Sequence, residues 1–307
     1  MSSNHRQPFS SILLCVPAIL FCATGIAQTT QSLTQLPPLV EAGVAEHHVG
    51  KVIWQDLVTP NVAVAKGFYG GLFGWTFRDL LAPYADYTVA MQGDQPVAGF
   101  LQRASSSSAQ HQSAWLAFFA VADLDTAQRN ATAHGAKLLA GPKDYPQRGR
   151  QAILRDPDGA VFALLASTHG DPPDALPAPG EWIWSSLHTG SPGGDAAFYQ
   201  TLLGYDVFDQ AGEAGAEHVI LSSEDYARAS VNGYPAGATR LHPHWLNFVR
   251  VLSVAETAAK VAGLGGKILV APHLDRHGGQ LAVVADPAGA AFGIMEWTAD
   301  DSKAEPK

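Results

Sequence analysis

The chain's 307 residues, 47% of them apolar, suffice for about two domains with separate cores. Nineteen Lys+Arg against 28 Asp+Glu leave a formal charge of −9. An acidic chain without a basic stripe has no means of gripping a phosphate backbone, which excludes the nucleic-acid-binding classes.

The first 27 residues read as an export signal. Arg6 supplies a modest positive start, residues 9–23 an apolar run, and Gly25-Ile26-Ala27 the small residues that a signal peptidase reads. Pro17 and the shortness of the run argue against a spanning anchor, which needs about 20 apolar residues. Phe21 stands where a small residue is required before a lipidated cysteine, which argues against Cys22 as a lipid anchor. Both cysteines, Cys15 and Cys22, fall inside this signal. Its removal would leave no thiol for a disulfide, a nucleophile or a thiolate metal site. Arg6 is its only charge, so 18 cationic residues would then face 28 acidic ones, a balance of −10. A periplasmic or secreted protein is expected.

Residues 28–49 are polar, contain Pro37-Pro38 and show no sustained period, as a flexible lead-in does. Residues 51–59 are rich in β-branched and aromatic types and predict a strand. Asn61 is placed to cap a helix in which Val64, Phe68 and Leu72 recur every four residues, with Gly74 as its left-handed terminus. Strands over 75–80, 87–91 and 97–103 complete a βαβββ unit. A second unit opens with an apolar strand over 115–121. Asp123 caps its helix, which ends near His134-Gly135, and strands follow at 137–140, 150–156 and 160–166, the last two turning through Asp156-Pro157-Asp158-Gly159. Residues 169–180 are a linker, because four prolines within 171–180 forbid a helix or a ladder. The same pattern then runs again from Trp182 to Trp297.

The repetition holds one offset of 130 positions. Trp54 matches Trp184, Leu57 Leu187, Phe68-Tyr69 Phe198-Tyr199, Gly74 Gly204, Trp115-Leu116 Trp245-Leu246, and Asp156-Pro157 Asp286-Pro287. A period that long exceeds any solenoid unit, so a whole domain is duplicated, giving domains over 50–168 and 181–298 and a tail at 299–307.

The W-x-x-L strand, the F-Y helix ending in Gly74-Trp75 or Gly204-Tyr205, and the closing D-P-x-G-x-x-F at 156–162 and 286–292 resemble the vicinal oxygen chelate superfamily of glyoxalase I, bleomycin-resistance proteins and extradiol dioxygenases. The likeness is to its two-domain bacterial glyoxalase-like branch and covers both repeats. It implies an α+β fold in which each domain pairs two βαβββ units into a cupped sheet. It also implies metal ligands, usually His and Glu, on the first strand of each unit and on the last strand, where a divalent ion would chelate neighbouring substrate oxygens. By the motif spacing those positions fall on Trp54 or Gln55, Leu116 and Ala163, and in the second copy on Trp184 or Ser185, Leu246 and Gly293. None offers a carboxylate, imidazole or thiolate, so the family's usual centre cannot assemble.

Other side chains are candidates for a cleft. Asp56 shares a strand face with Trp54 and is the best catalytic candidate, as a base or a ligand-orienting group; the commoner reading of such a residue is a structural carboxylate, and Ser186 replaces it in the second copy. Trp54, Trp115, Trp184 and Trp245 either wall a ligand or anchor the core. Gln55, Tyr87, Leu116, His188 and Asn247 complete the candidate ligand-binding set, with Arg150 and Arg250 weaker. His188, His242, His244, His273 and His277 could in principle build an improvised metal site, but loop histidines beside proline read as surface residues. The expectation is an exported, metal-free small-molecule binder with no cofactor, no nucleic acid and no membrane span once the signal is removed, a homodimer being a further partner. The alternative is a lyase, isomerase or dioxygenase-like enzyme with a non-standard metal site or Asp56 as base.

Overall fold

The computed structural model describes residues 35–41, 43, 46–81, 86–103, 113–211, 217–234, 242–275 and 278–297. Residues 1–27, where an export signal is expected, the tail and His277 lie outside the described residues. Among the described residues no helix is long and apolar enough to cross a membrane.

The first domain runs β1 (Val52–Thr59), α1 (Val62–Phe73), β2 (Thr76–Asp79), β3 (Tyr87–Gln92), β4 (Gln95–Gln102), β5 (Ala114–Ala120), α2 (Leu124–Ala133), β6 (Lys137–Tyr145), β7 (Gly149–Arg155) and β8 (Val161–Ser167). Its eight strands form one mixed sheet in the order β2-β3-β4-β1-β5-β8-β7-β6, two βαβββ halves joined where β1 pairs antiparallel with β5. The second domain repeats this with β9 (Trp182–Thr189), α3 (Pro192–Leu203), β10 (Asp206–Ala211), β11 (Glu217–Ser223), β12 (Tyr226–Gly233), β13 (His244–Arg250), α4 (Val254–Val261), β14 (Lys267–Leu274), β15 (Gln280–Ala285) and β16 (Ala291–Met295). The caps are those the sequence predicts. The Asn61 side chain accepts from the Val64 N–H and that of Asp123 from the Thr126 N–H, and Gly74 ends α1 at φ 76°. Strand β6 runs past the predicted 137–140 to Tyr145, carried across Gly141-Pro142 by its ladder with β7.

Alternation along the strands assigns each side chain to a face. On β5, Trp115, Ala117 and Phe119 point to the helix-bearing side, while Leu116, Phe118 and Ala120 point into the cup. The helix-bearing faces of the two domains pack against each other, so the four helices lie between two sheets and the cups face away from one another. Each of the two large cores is built from both domains. One joins α2, β7 and β8 to α3, β11 and β12; the other joins α1 and β4 to α4, β15 and β16.

The cross-domain contacts come in pairs related by the repeat. Trp115 Nε1 donates to Tyr69 Oη at 2.9 Å, and Tyr69 Oη reaches Asp286 at 3.5 Å; Trp245 Nε1 donates to Tyr199 Oη at 3.0 Å, which donates to Asp156 at 3.0 Å. Trp75 Nε1 donates to Gly180 O at 2.8 Å, and Tyr205 Oη donates to Gly50 O. The other oxygen of each aspartate closes its own turn by accepting two backbone N–H groups: Gly159 and Ala160 for Asp156, Ala288 and Ala290 for Asp286. The F-Y, W-L and D-P motifs are therefore the fastening between the two copies.

Candidate functional site

The concave face of the first domain is closed. Trp54, Leu116, Phe118, Val89, Met91 and Leu165 line it, and the lead-in drops Leu36 and Leu39 onto them, 6% and 7% exposed. Within this apolar packing sits a polar knot. Asp56 Oδ1 accepts from Tyr87 Oη at 2.5 Å and from Trp54 Nε1 at 2.7 Å. Arg148, only 1% exposed, lays its guanidinium 3.9 Å from the centre of a Trp54 ring and donates from Nε to Pro37 O at 2.7 Å. Burial raises the Asp56 carboxyl above its ordinary value, against the pull of the Tyr87 and Trp54 hydrogen bonds and the Arg148 charge. Gly99, across the ladder from Asp56, makes the knot possible, since a Cβ there would overlap both Tyr87 Oη and Asp56 Oδ1.

The second cup is open at the matching positions. Ile183, Trp184, Leu281, Val283 and Trp297 are only partly buried over a floor of Leu246, Phe248 and Met295. Trp184 and Trp297 stand nearly parallel, ring centres 6.2 Å apart at 21°. In place of Asp56, Ser186 bonds Ser230 at 2.7 Å, and Trp184 Nε1 donates to Ser230 at 3.2 Å. Further along β9, His188 stacks on His244 with ring centres 5.6 Å apart, and His218 pairs with Asn232. Burial, with the nearby His244 and His218, lowers His188 to about 4, so its ring is neutral at pH 7. This cup offers a flat apolar wall and a rim of hydroxyl and amide groups beside the neutral His188 ring.

Neither floor suits the metal that the fold implies. The closing-strand position in the second cup is Gly293, and a Cβ built there would run into the Phe248 ring. In the first cup the corresponding Ala163 pairs with Phe118. In the second cup a phenyl ring therefore takes the place where a third ligand would stand, and in the first the matching position is a methyl group. Indole, phenyl and alkyl groups provide no donor for a hard or borderline cation.

Among the described residues one group has the geometry of a cation site, and it lies outside both cups. Ligand atoms of His48, Asp174 and Glu224 come within 4.8 Å of one another at an open surface depression of about 530 Å³. Its carboxylates already have cations: Asp174 accepts from Lys51 at 2.8 Å and from Arg228 at 2.5 Å, and Glu224 accepts from Arg228 at 2.7 Å. The cluster ties lead-in, linker and the β11–β12 hairpin together, and a divalent ion would have to compete with two positive charges already in place.

The sequence candidates separate by face. Trp54, Asp56, Tyr87 and Leu116 meet in the first cup; Trp184 and His188 belong to the second. Trp115 and Trp245 lie in the inter-domain cores. Gln55 pairs with Ala117 on that same side, and Asn247 accepts there from Ser185 at 2.8 Å. Arg150 is at the surface, bonded to Asp125 and Asp144, and Arg250 bonds the carbonyls of Trp297 and Pro177. His242 and His273 are exposed. Sequence reasoning missed Arg148, the two lead-in leucines, Trp297 and His218. Arg148 follows a Pro-Gln turn with no periodicity to mark it, whereas Leu36-Pro-Pro-Leu39 carried a readable signal, two large apolar residues in a polar stretch.

The class that this geometry defines is a duplicated βαβββ protein with two cupped sheets. Residues 47–164 match the model of the glyoxalase/bleomycin resistance protein/dioxygenase superfamily and residues 186–295 that of the glyoxalase-like domain, and the chain belongs to this superfamily. It is 28% identical over 255 residues to "Putative glyoxylase CFP32" of Mycobacterium bovis, covering 82% of this chain and 97% of that one. It is also 28% identical over 260 residues to the anthracycline biosynthesis protein DauV of Streptomyces sp. strain C5, covering 80% and 93%. Among solved structures, the fold matches the Mn(II)-bound glyoxalase of Novosphingobium aromaticivorans at TM-score 0.58 and 16% identity over 81% of this chain and 82% of that one. It matches the 2,3-dioxygenase LapB of Pseudomonas sp. KL28 at 0.57 and 14%, over 82% and 94%.

Proposed function

We propose that this protein binds a small, flat, uncharged aromatic molecule in the cup of its second domain, without a metal. The observation that carries this reading is the contrast between equivalent positions: Trp54 is 4% exposed under the lead-in, while Trp184 and its neighbour Trp297 remain partly open. Parallel indoles supply stacking surface, and the Ser186, Ser230, Asn232 and His188 rim supplies neutral hydrogen bonds suited to hydroxyl or carbonyl substituents. The relative named for anthracycline biosynthesis is consistent with an aromatic ligand. The enzymatic alternative with Asp56 as base is the weaker reading, because Asp56 is buried and its Oδ1 already accepts from both Trp54 and Tyr87. We also read the protein as exported, which cell fractionation tests.

Equilibrium dialysis with 1,8-dihydroxyanthraquinone tests the site. Trp184→Ala and Trp297→Ala should each weaken binding by about tenfold or more, an amount expected from loss of one stacking face. No saturable binding, or binding by both variants as tight as by the unsubstituted protein, would refute it. Stoichiometric zinc or manganese held on a cup floor would refute the metal-free part.

A further inference from the structure

We propose that the concave face of the first domain is a second binding site, specific for an apolar monocarboxylate, and that residues 35–41 are its built-in occupant. The packing is that of a ligand in a pocket. Leu36 and Leu39 fill the apolar volume over Trp54, Leu116 and Met91, while the carbonyl of Pro37, which has no N–H of its own to satisfy, points at a guanidinium. Arg148 is the group whose hydrogen bonding the folded chain leaves incomplete in this cup. Asp56 and Tyr87 lie near enough to offset its charge, yet its Nε is met by a neutral carbonyl and its Nη2 has no protein partner at 1% exposure. Nε and Nη2 are adjacent donors of one planar fork, the geometry that takes both oxygens of a carboxylate. Pro37 satisfies half of that fork. The Trp54 ring beneath the guanidinium fixes its plane. The equivalent place in the second copy is Gly278, which has no side chain to supply a fork.

The covering segment is attached chiefly by two buried leucines and one carbonyl, with Val40 packed at its edge, so weakening the leucines should unmask the site. The probe is 1-naphthoate, with 1-naphthamide as its neutral counterpart, measured by equilibrium dialysis on the full chain. The variant L36S/L39S should bind 1-naphthoate at least about tenfold more tightly than the unsubstituted protein. Adding Arg148→Met should abolish that gain, and 1-naphthamide should not distinguish Arg148 from Met. The inference is overturned if L36S/L39S, folded by circular dichroism, binds no tighter, or if the gain survives Arg148→Met. Should L36S/L39S fail to fold, hydrogen exchange on the unsubstituted protein decides. Millimolar 1-naphthoate should accelerate exchange at Leu39 and Val40, and unchanged exchange overturns the inference. Loss of the second-cup reading through Trp184→Ala would leave these outcomes untouched, since the strap touches only the first cup.

Discussion

The paired Trp-Tyr-Asp chains allow a prediction with an internal control. Tyr69→Phe and Tyr199→Phe delete the same atom from fully buried rings in equivalent surroundings, so packing loss is equal in the two and the hydrogen bonds differ. At Tyr199 both contacts are good: 3.0 Å from Trp245 Nε1 and 3.0 Å to Asp156. Removing Oη forfeits a bond to a charged acceptor, about 1.5–3 kcal/mol, and leaves the indole N–H without a partner, about 1–3 kcal/mol. Some relaxation brings the expectation to about 3 kcal/mol. At Tyr69 the indole contact is equally short, but the 3.5 Å reach to Asp286 is at the limit of a hydrogen bond, and Asp286 retains Ser113 at 3.3 Å. There the loss should be about 1–2 kcal/mol. Urea unfolding reads both as shifts in midpoint at constant m-value. Because each large core contains elements of both domains, the unfolding should be one transition for both variants. Equal losses, a larger loss at Tyr69, or two separated transitions would refute the account of the interface.

Gly293→Ala should destabilise by about 1–3 kcal/mol through overlap with the Phe248 ring, and Phe248→Leu should partly rescue it, which a double-mutant cycle of unfolding midpoints measures. His188, buried and lowered to about 4, contributes stability that is complete above its ordinary value near 6.5 and lost as pH falls through 4; His188→Gln should flatten the melting-temperature profile across that window. Asp195 is raised to about 7 by burial, with Asp156 and Asp158 adding to the rise against a Thr189 hydrogen bond. Its stabilising contribution is therefore present at low pH and lost as pH rises through 7. Asp195→Asn should match the unsubstituted protein near about pH 4 and melt higher near about pH 8, by an amount equivalent to about 1–3 kcal/mol.

The strands, helices and caps were legible because they depend on neighbours a few residues away. Asn61, Asp123 and Gly74 act within one turn, and the apolar alternation of 115–121 is its own evidence. The cups were legible only in outline. Spacing placed Trp54 and Leu116 on the concave face, but counting could not decide between Gln55 and its neighbours, because the register of β1 shifts between Val52 and Trp54. A slip of one residue exchanges the faces. Trp115 and Trp184 look alike in sequence, and only the packing of one domain against the other sends the first into a core and leaves the second in a cup. Arg148 was beyond reach for a related reason: its partners are 94 and 111 positions away, at Trp54 and Pro37.

This division has a physical cause. The residues that repeat most faithfully, Tyr69 and Tyr199, Trp115 and Trp245, Asp156 and Asp286, all serve the helix-bearing side, where each copy must satisfy buried polar groups of the other. A change there leaves an unpaired donor or acceptor in the low-dielectric core and destabilises both domains together. The concave faces carry no such obligation, because they point away from the inter-domain cores. Asp56 can stand opposite Gly99 in one copy while Ser186 bonds Ser230 in the other, and Arg148 can give way to Gly278, without disturbing a single inter-domain bond. Stability is thus held on one side of each sheet and chemistry is free to diverge on the other. A duplicated scaffold can in this way seal one cup with its own chain and keep the other open, and the motifs that reveal its family remain silent about its ligand.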